Sequence, residues 1–168
     1  MLFAIYSFLL SDFNPIFKNE EFVYLTNSLK ETRKENFKSI VEIYNEIHKT
    51  VKEKRCSCET ATTFIGPYRH GFSLTKKLYL LKVEKKFSNN ECLKFQLIHY
   101  DFGNGNIGVK NASKFYFDKT VEQLNEEEKI TIVIMLENSS LYNPVRNKKG
   151  IMNKVRIYQR ILRKKTSR

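Results

Sequence analysis

The stretch Phe102-Gly103-Asn104-Gly105-Asn106-Ile107-Gly108-Val109 decides how the chain is read. Its glycines spell G-x-G-x-x-G, a pattern that in dinucleotide-binding proteins brings backbone amides against a pyrophosphate. That reading needs a strand before the loop, a helix directly after it and an acidic residue about twenty positions on. The first of these glycines stands at position 103 of 168, which leaves too little chain for a doubly wound sheet. The following segment, Asn111 to Phe117, reads as a short helix carrying small and aromatic residues. The dinucleotide reading is therefore set aside.

Outward from this loop the chain reads as a succession of helices. Phe37, Ile40, Val41, Tyr44, Ile47, His48 and Val51 recur at spacings of three and four, which predicts one long helix over residues 29–55. Residues 56–72 hold Thr60, Thr62, Thr63, Gly66, Pro67 and Gly71 and read as a mobile loop. Leu74 to Lys86 is helical by period, with Leu78, Leu81 and Val83 set against Lys76, Lys77, Lys82 and Lys85. Ser88-x-x-Glu91 is a capping box that opens the next helix, and Thr120-x-x-Gln123 and Asn125-x-x-Glu128 are two further start signals. Ile130 to Leu136 is rich in β-branched residues and would otherwise suit a strand. Asn125 and the three glutamates after it favour a helix N-terminus electrostatically, so this segment is read as helix. Met152 to Leu162 is a last basic helix, with Arg163-Lys164-Lys165 as a frayed tail. The expected fold class is mainly α, with residues 13–168 as one domain behind an apolar segment at 1–12.

The composition narrows the partners. At 168 residues and 41% hydrophobic, the chain can bury the core of one domain. Thirty Lys and Arg stand against 18 acids, a net charge of +12, so the surface it meets is expected to be anionic: nucleic acid, a phosphorylated substrate or acidic lipid headgroups. Cys56, Cys58 and Cys92 are odd in number and form no disulfide framework by pattern, and no second pair completes a zinc site. His48, His70 and His99 are scattered, and no structural metal is expected. The opening Met1 to Leu10 is almost wholly apolar but half the length of a spanning helix, and it lacks the basic start and cleavage site of a signal peptide. A membrane-anchor remnant, an interfacial helix and a buried first helix all fit it.

Beyond the loop, Leu80-Leu81-Lys82-Val83-Glu84-Lys85-Lys86-Phe87 leads in, and Ala112-Ser113, Tyr116-Phe117, Lys119, Leu124 and Glu127 follow. Ser139-Ser140-Leu141-Tyr142-Asn143-Pro144-Val145-Arg146-Asn147 closes the series. In this order and spacing, residues 77–162 resemble the C-terminal half of glycosyltransferase family 51, the peptidoglycan glycosyltransferase domain of penicillin-binding proteins. The sharpest pieces are Phe-Gly-x-Gly-x-x-Gly-Val and Ser-x-Tyr-Asn-Pro-x-Arg, which are structural signatures of that family. The resemblance implies a lysozyme-like helical fold and polymerisation of lipid II at the outer face of the bacterial cytoplasmic membrane. It also favours the anchor or interfacial reading of the opening segment.

The same resemblance implies a site. The family's Glu-Asp-x-x-Phe-x-x-His corresponds to Glu20-Glu21-Phe22-Val23-Tyr24-Leu25-Thr26-Asn27, which makes Glu20 the expected general base and Glu21 its neighbour at the substrate. Thr60 and Thr62 stand for the threonines of the second motif. The third motif, Arg-Lys-x-x-Glu, falls on Phe72 to Lys77, where neither its basic pair nor its Glu is in register, and Lys76 and Lys77 supply charge one turn away. The fourth keeps its apolar frame at Cys92, Leu93, Leu97 and Ile98 and loses its Lys, Tyr and Asn. Lys154, Arg156 and Ile157 stand near the fifth, and Arg146 closes the Asn-Pro signature. Lys76, Lys77, Arg146, Lys154 and Arg156 are the expected phosphate-facing cations. No cofactor is expected to be tightly bound, and a divalent cation, Mg²⁺ or Mn²⁺, is expected with the substrate pyrophosphate. The expected partners are lipid II or a nascent glycan strand, the bacterial membrane surface and other cell-wall synthesis proteins.

Two other readings remain. Packing positions have outlasted chemical ones, which suits a degenerate module of the same fold that binds lipid II or a partner without turnover. The +12 charge and the closing basic helix suit a nucleic-acid binder. That reading ranks last, and nucleic acid is not an expected partner, since no helix-turn-helix spacing or aromatic RNA-reading motif supports it.

Overall fold

A computed structural model of the protein describes residues 8–50, 56–64 and 73–166. Among the described residues there are α-helices and two short 3-10 turns, with no strand beyond an isolated bridge between Asp101 and Ile107. The helices are α1 (Glu20–Glu31), α2 (Lys38–Thr50), α3 (Ser57–Thr63), α4 (Leu74–Lys86), α5 (Asn89–His99), α6 (Val109–Phe117), α7 (Glu126–Glu137) and α8 (Lys148–Thr166). They group into two compact units, one of Met1–Glu35 with Arg55–Phe95 and the other of Asn36–Lys54 with Gln96–Arg168.

The first unit is organised around aromatic rings. Phe22 on α1 lies 4.8 Å from Tyr79 on α4, and Phe17 lies 5.0 Å from Phe22. Leu25, Leu29, Ala61, Val83 and Phe95 complete this core. Each ring pair adds about 0.5–1.5 kcal/mol beyond its buried area.

Helix α4 has the predicted bounds, with the Ser73 hydroxyl accepting from the Lys76 amide as its cap. Its faces differ from the sequence reading. Leu81 is exposed, whereas Lys82, expected on the polar side, is 3% exposed. The Lys82 ammonium donates to the Leu10 carbonyl, pairs with Asp12 at 2.9 Å and lies 4.9 Å from the Phe17 ring centre. A lysine can be buried here because its charge and donors are met on several sides. With Lys86, which pairs with Asp12 at 2.7 Å, it clamps residues 10–12 onto α4. Leu10 is buried as a result, while Phe8 and Phe13 remain exposed. Residues 1–7 of the apolar opening lie outside the described residues.

Three expectations in this part of the chain are corrected. The single helix over 29–55 is broken: α1 ends at Glu31, Thr32–Lys34 tightens into a 3-10 turn, and Glu35 is extended. The buried Thr32 hydroxyl donates to the Leu29 carbonyl at 2.7 Å, a local bond that competes with continuation of the helix. Val51 and residues 52–55 lie outside the described residues. Residues 57–63, expected in a loop, form α3, which packs on α4 with Ala61 and Thr62 buried. The cysteines do pair: Cys58 and Cys92 form a disulfide across a separation of 34 residues, joining α3 to α5. Counting three cysteines could not show which two the fold would bring together. Residues 65–72, the rest of the expected loop, lie outside the described residues.

In the second unit α2, α7 and α8 pack against one another. Helix α7 is buried on every side from Ile130 to Leu136, which is why its residues are apolar without helical period. Its β-branched content is held helical by the capping box, with the Asn125 side chain accepting from Glu128 N and the Glu128 carboxylate accepting from Asn125 N. The Ser88–Glu91 box at the start of α5 also forms. Thr120-x-x-Gln123, by contrast, closes only a turn, with Gln123 N bonded to the Thr120 carbonyl. Helix α8 begins at Lys148, four residues before the expected start, because Asn147 caps it by accepting from Gly150 N at 3.0 Å. It continues through the segment read as a frayed tail.

Candidate functional site

In the first unit, Glu20 and Glu21 open α1 and are exposed. Acidic side chains are favourable in a first helical turn, where the backbone amides point outward. Asn19, the residue before Glu20, donates from its side chain to the Tyr79 hydroxyl of α4 at 3.3 Å. Lys76 precedes Tyr79 by one turn on α4 and is half-buried, and Lys77 is exposed beside it. The start of α1, with its two carboxylates, is therefore fixed against the helix that carries two candidate cations. Thr60 and Thr62 lie on α3, which packs on that same helix. The Thr60 hydroxyl donates to the Cys56 carbonyl at 3.4 Å, and the buried Thr62 hydroxyl to the Glu59 carbonyl at 2.7 Å. The Cys56 thiol remains free of disulfide and donates to the Glu84 carboxylate at 3.3 Å.

In the second unit, Arg146 stands exposed on a turn built by Asn143, whose side-chain oxygen accepts from Val145 N at 3.0 Å and Arg146 N at 3.2 Å. Arg156 is exposed on α8. Lys154 is different. Its ammonium pairs with Glu137 at the end of α7 and lies 4.2 Å from the Tyr142 ring centre and 5.5 Å from that of Tyr158. The Tyr158 hydroxyl also donates to Glu137. His48 on α2 faces the same carboxylate at 3.9 Å, with its Nδ1 held 2.9 Å from the Tyr44 carbonyl. Sequence reading picked out Lys154 as a cation but had no signal for Glu137, whose partners come from other helices.

The glycine loop is a joint between α5 and α6. Gly103, Asn104, Gly105 and Gly108 all have positive φ. A side chain at Gly108 would place its Cβ 2.6 Å from the Ile98 carbonyl oxygen. The amides of Phe102, Gly103, Asn106, Ile107 and Gly108 are bonded within this joint, to Asn106 O, the Asp101 carboxylate, Gly103 O, Gly105 O and Tyr100 O. Amides already satisfied in this way do not form a phosphate cradle, in agreement with setting the dinucleotide reading aside.

The second signature is bolted to this joint. The Tyr116 hydroxyl on α6 donates to the Phe102 carbonyl at 3.0 Å and accepts from the Asn143 side chain at 3.1 Å. Just ahead of the signature, the Ser139 hydroxyl donates to the Asp101 carbonyl at 2.8 Å, and Ser139 N to the Tyr100 hydroxyl at 3.1 Å. Asn143 is fully buried, so its bonds are made away from competing water. Phe-Gly-x-Gly-x-x-Gly-Val and Ser-x-Tyr-Asn-Pro-x-Arg thus form one structural element.

Comparison with known proteins covers the residues of this joint. The model of the transglycosylase family matches residues 73–164, more than half of the chain. The chain belongs to that family, and its helical architecture is the lysozyme-like one expected of it. It is 36% identical over 74 residues to penicillin-binding protein 4 of Bacillus subtilis, covering 44% of this chain and 12% of that protein. Over 60 residues it is 35% identical to the biosynthetic peptidoglycan transglycosylase of Haemophilus influenzae, covering 36% of this chain and 25% of that protein. It is 34% identical over 80 residues to penicillin-binding protein 2a of Streptococcus pneumoniae (strain ATCC BAA-255 / R6), covering 47% of this chain and 11% of that protein. The chain therefore spans only a small part of the curated relatives it matches.

Proposed function

We propose that the chain is a divergent peptidoglycan glycosyltransferase domain that polymerises lipid II into glycan strands at the outer face of the bacterial cytoplasmic membrane. The observation that carries this reading is the family match over residues 73–164, whose two signatures lock together through Tyr116 and Asn143. In the proposed reaction the Glu20 carboxylate takes the proton of the acceptor 4-hydroxyl as that oxygen bonds to the donor sugar. The bond from the donor sugar to its lipid pyrophosphate breaks, and fixed cations stabilise the charge that develops there. Lys76 and Lys77, on the helix that holds the start of α1, are the groups for that task in the first unit; Arg146 and Arg156 are assigned to it by motif position alone. Lys154 is committed to Glu137, so meeting a pyrophosphate requires it to leave that pair.

Glu21, Thr60 and Thr62 are assigned to the substrate by motif position. Among the described residues no three His, Cys, Asp or Glu side chains converge to hold a metal. A divalent cation belongs here to the substrate, carried on its pyrophosphate. Lipid II or the growing strand, the membrane surface and other cell-wall synthesis proteins are the proposed partners. Among the described residues no helix is long and apolar enough to cross a membrane.

A second reading has its own observation. Residues 73–77, Ser-Leu-Thr-Lys-Lys, offer no carboxylate where the third family motif has one, which favours a module that binds lipid II without polymerising it. Polymerisation of labelled lipid II by the purified chain, beside Glu20→Gln, separates the two.

A further inference from the structure

Charge is unevenly placed along this chain. Up to and including Glu137 there are 20 Lys and Arg against 18 Asp and Glu; after it there are 10 Lys and Arg and no acid. The excess of +12 therefore resides almost wholly in the last 31 residues, most of which form α8. One face of that helix, with Ile151, Val155 and Tyr158, is buried, and Lys154 is held by Glu137. Lys148, Lys149, Arg156 and Arg160 are exposed and take part in no ion pair among the described residues. An open cavity of about 370 Å³ is lined by Lys148, Lys149, Met152, Asn153 and Arg156. Met152 is 40% exposed within it, and Ile157 is 53% exposed on the same helix.

We propose that this outward face of α8 docks on an anionic lipid bilayer. Lys148, Lys149 and Arg160 meet lipid phosphates, Asn153 donates to them from its amide, and Met152 and Ile157 enter the interfacial layer. A basic face by itself suits any polyanion. Apolar side chains set among the cations suit a surface that is ionic outside and apolar beneath. On a duplex they would face phosphate and water, and the cavity has no aromatic ring on which a base could stack. The inference rests on the membrane setting of the function proposed above and names the surface and lipid class that serve it. Vesicle binding is read without turnover, so the two fail separately.

The test is flotation of the whole chain with phosphatidylcholine vesicles and with vesicles that also contain phosphatidylglycerol. The chain should float with the mixed vesicles only, and less so as salt rises. Each cation near an anionic leaflet strengthens binding roughly fivefold, so Lys148→Glu/Lys149→Glu/Arg160→Glu should weaken flotation by about a hundredfold or more. Met152→Ser/Ile157→Ser should weaken the binding that persists at high salt. Lys148→Gln/Lys149→Gln, a milder change at exposed positions, should give an intermediate loss and covers misfolding of the triple variant. Equal flotation with neutral vesicles, undiminished flotation of the variants, displacement by inorganic phosphate at matched ionic strength, or tighter binding to duplex DNA at the same salt would overturn the proposal.

Discussion

The Tyr116 hydroxyl lies 3.1 Å from the side-chain nitrogen of the fully buried Asn143, and through that contact the glycine joint and the Asn-Pro turn become one piece. Tyr116 supplies the donor for the Phe102 carbonyl and the acceptor for Asn143, while Asn143 in turn holds the amides that shape the turn bearing Arg146.

Tyr116→Phe should therefore lower stability by about 1–3 kcal/mol, because it leaves buried partners unpaired. Asn143→Ala should cost at least as much. The double variant should lose less than the sum of the two, since the residues share one network. Urea unfolding of the three variants measures this, and strict additivity would mean that the contact couples nothing.

The disulfide gives a second expectation. Cys58→Ser/Cys92→Ser, or reduction of the parent, should lower stability by about 2–5 kcal/mol. Hydrogen exchange should quicken first at the amides of α3, which is only seven residues long. Unchanged exchange in α3 after reduction would show that packing on α4 holds this helix without the bridge.

Lys154 and Glu137 form the pair that ties α8 to α7. Both side chains are about one-fifth exposed, so water softens the loss of one partner. Lys154→Met should still destabilise the protein by about 1–3 kcal/mol, because the remaining carboxylate is left without its cation. Adding Glu137→Gln should recover part of that loss. A Lys154→Met protein as stable as the parent would place the pair among those that contribute nothing measurable.

His99 sets a pH dependence. Burial holds its pKa below the ordinary 6.5, so the folded chain favours the neutral ring while the unfolded chain protonates normally. Stability from this group is complete above 6.5 and declines as pH falls through that value toward the lowered folded pKa. His99→Gln should flatten this part of the melting-temperature profile. Asp12 behaves as a depressed carboxylate: Lys86 and Lys82 hold its pKa down to about 2, so its clamp on α4 persists until the medium is acid enough to protonate it there.

What the sequence made legible followed from local chemistry. The bounds of α4 and the capping boxes at Ser88 and Asn125 could be read because the deciding partners lie within three or four residues. The features that escaped depend on distant partners. Lys82 looks like part of a polar face until Leu10 and Asp12, far back in the chain, return to it. Helix α3 looks like a threonine-rich loop until the disulfide and α4 hold it. For the proposed site, the family resemblance offered Glu20 and Lys76 as candidates, and the bond from Asn19 to Tyr79 holds the start of α1 against the helix that carries Lys76. The engagement of Lys154 by Glu137 had no local signal.

Labelled lipid II incubated with the purified chain, Mg²⁺ or Mn²⁺ and detergent tests the central claim most directly, with Glu20→Gln and Glu21→Gln run alongside. The account predicts glycan strands from the parent and from Glu21→Gln, with turnover falling at least about a hundredfold in Glu20→Gln, the scale of a lost general base. Strands made equally well by Glu20→Gln would contradict the assignment of the base. No strands from the parent, with lipid II still bound, would contradict polymerisation and leave the binding module.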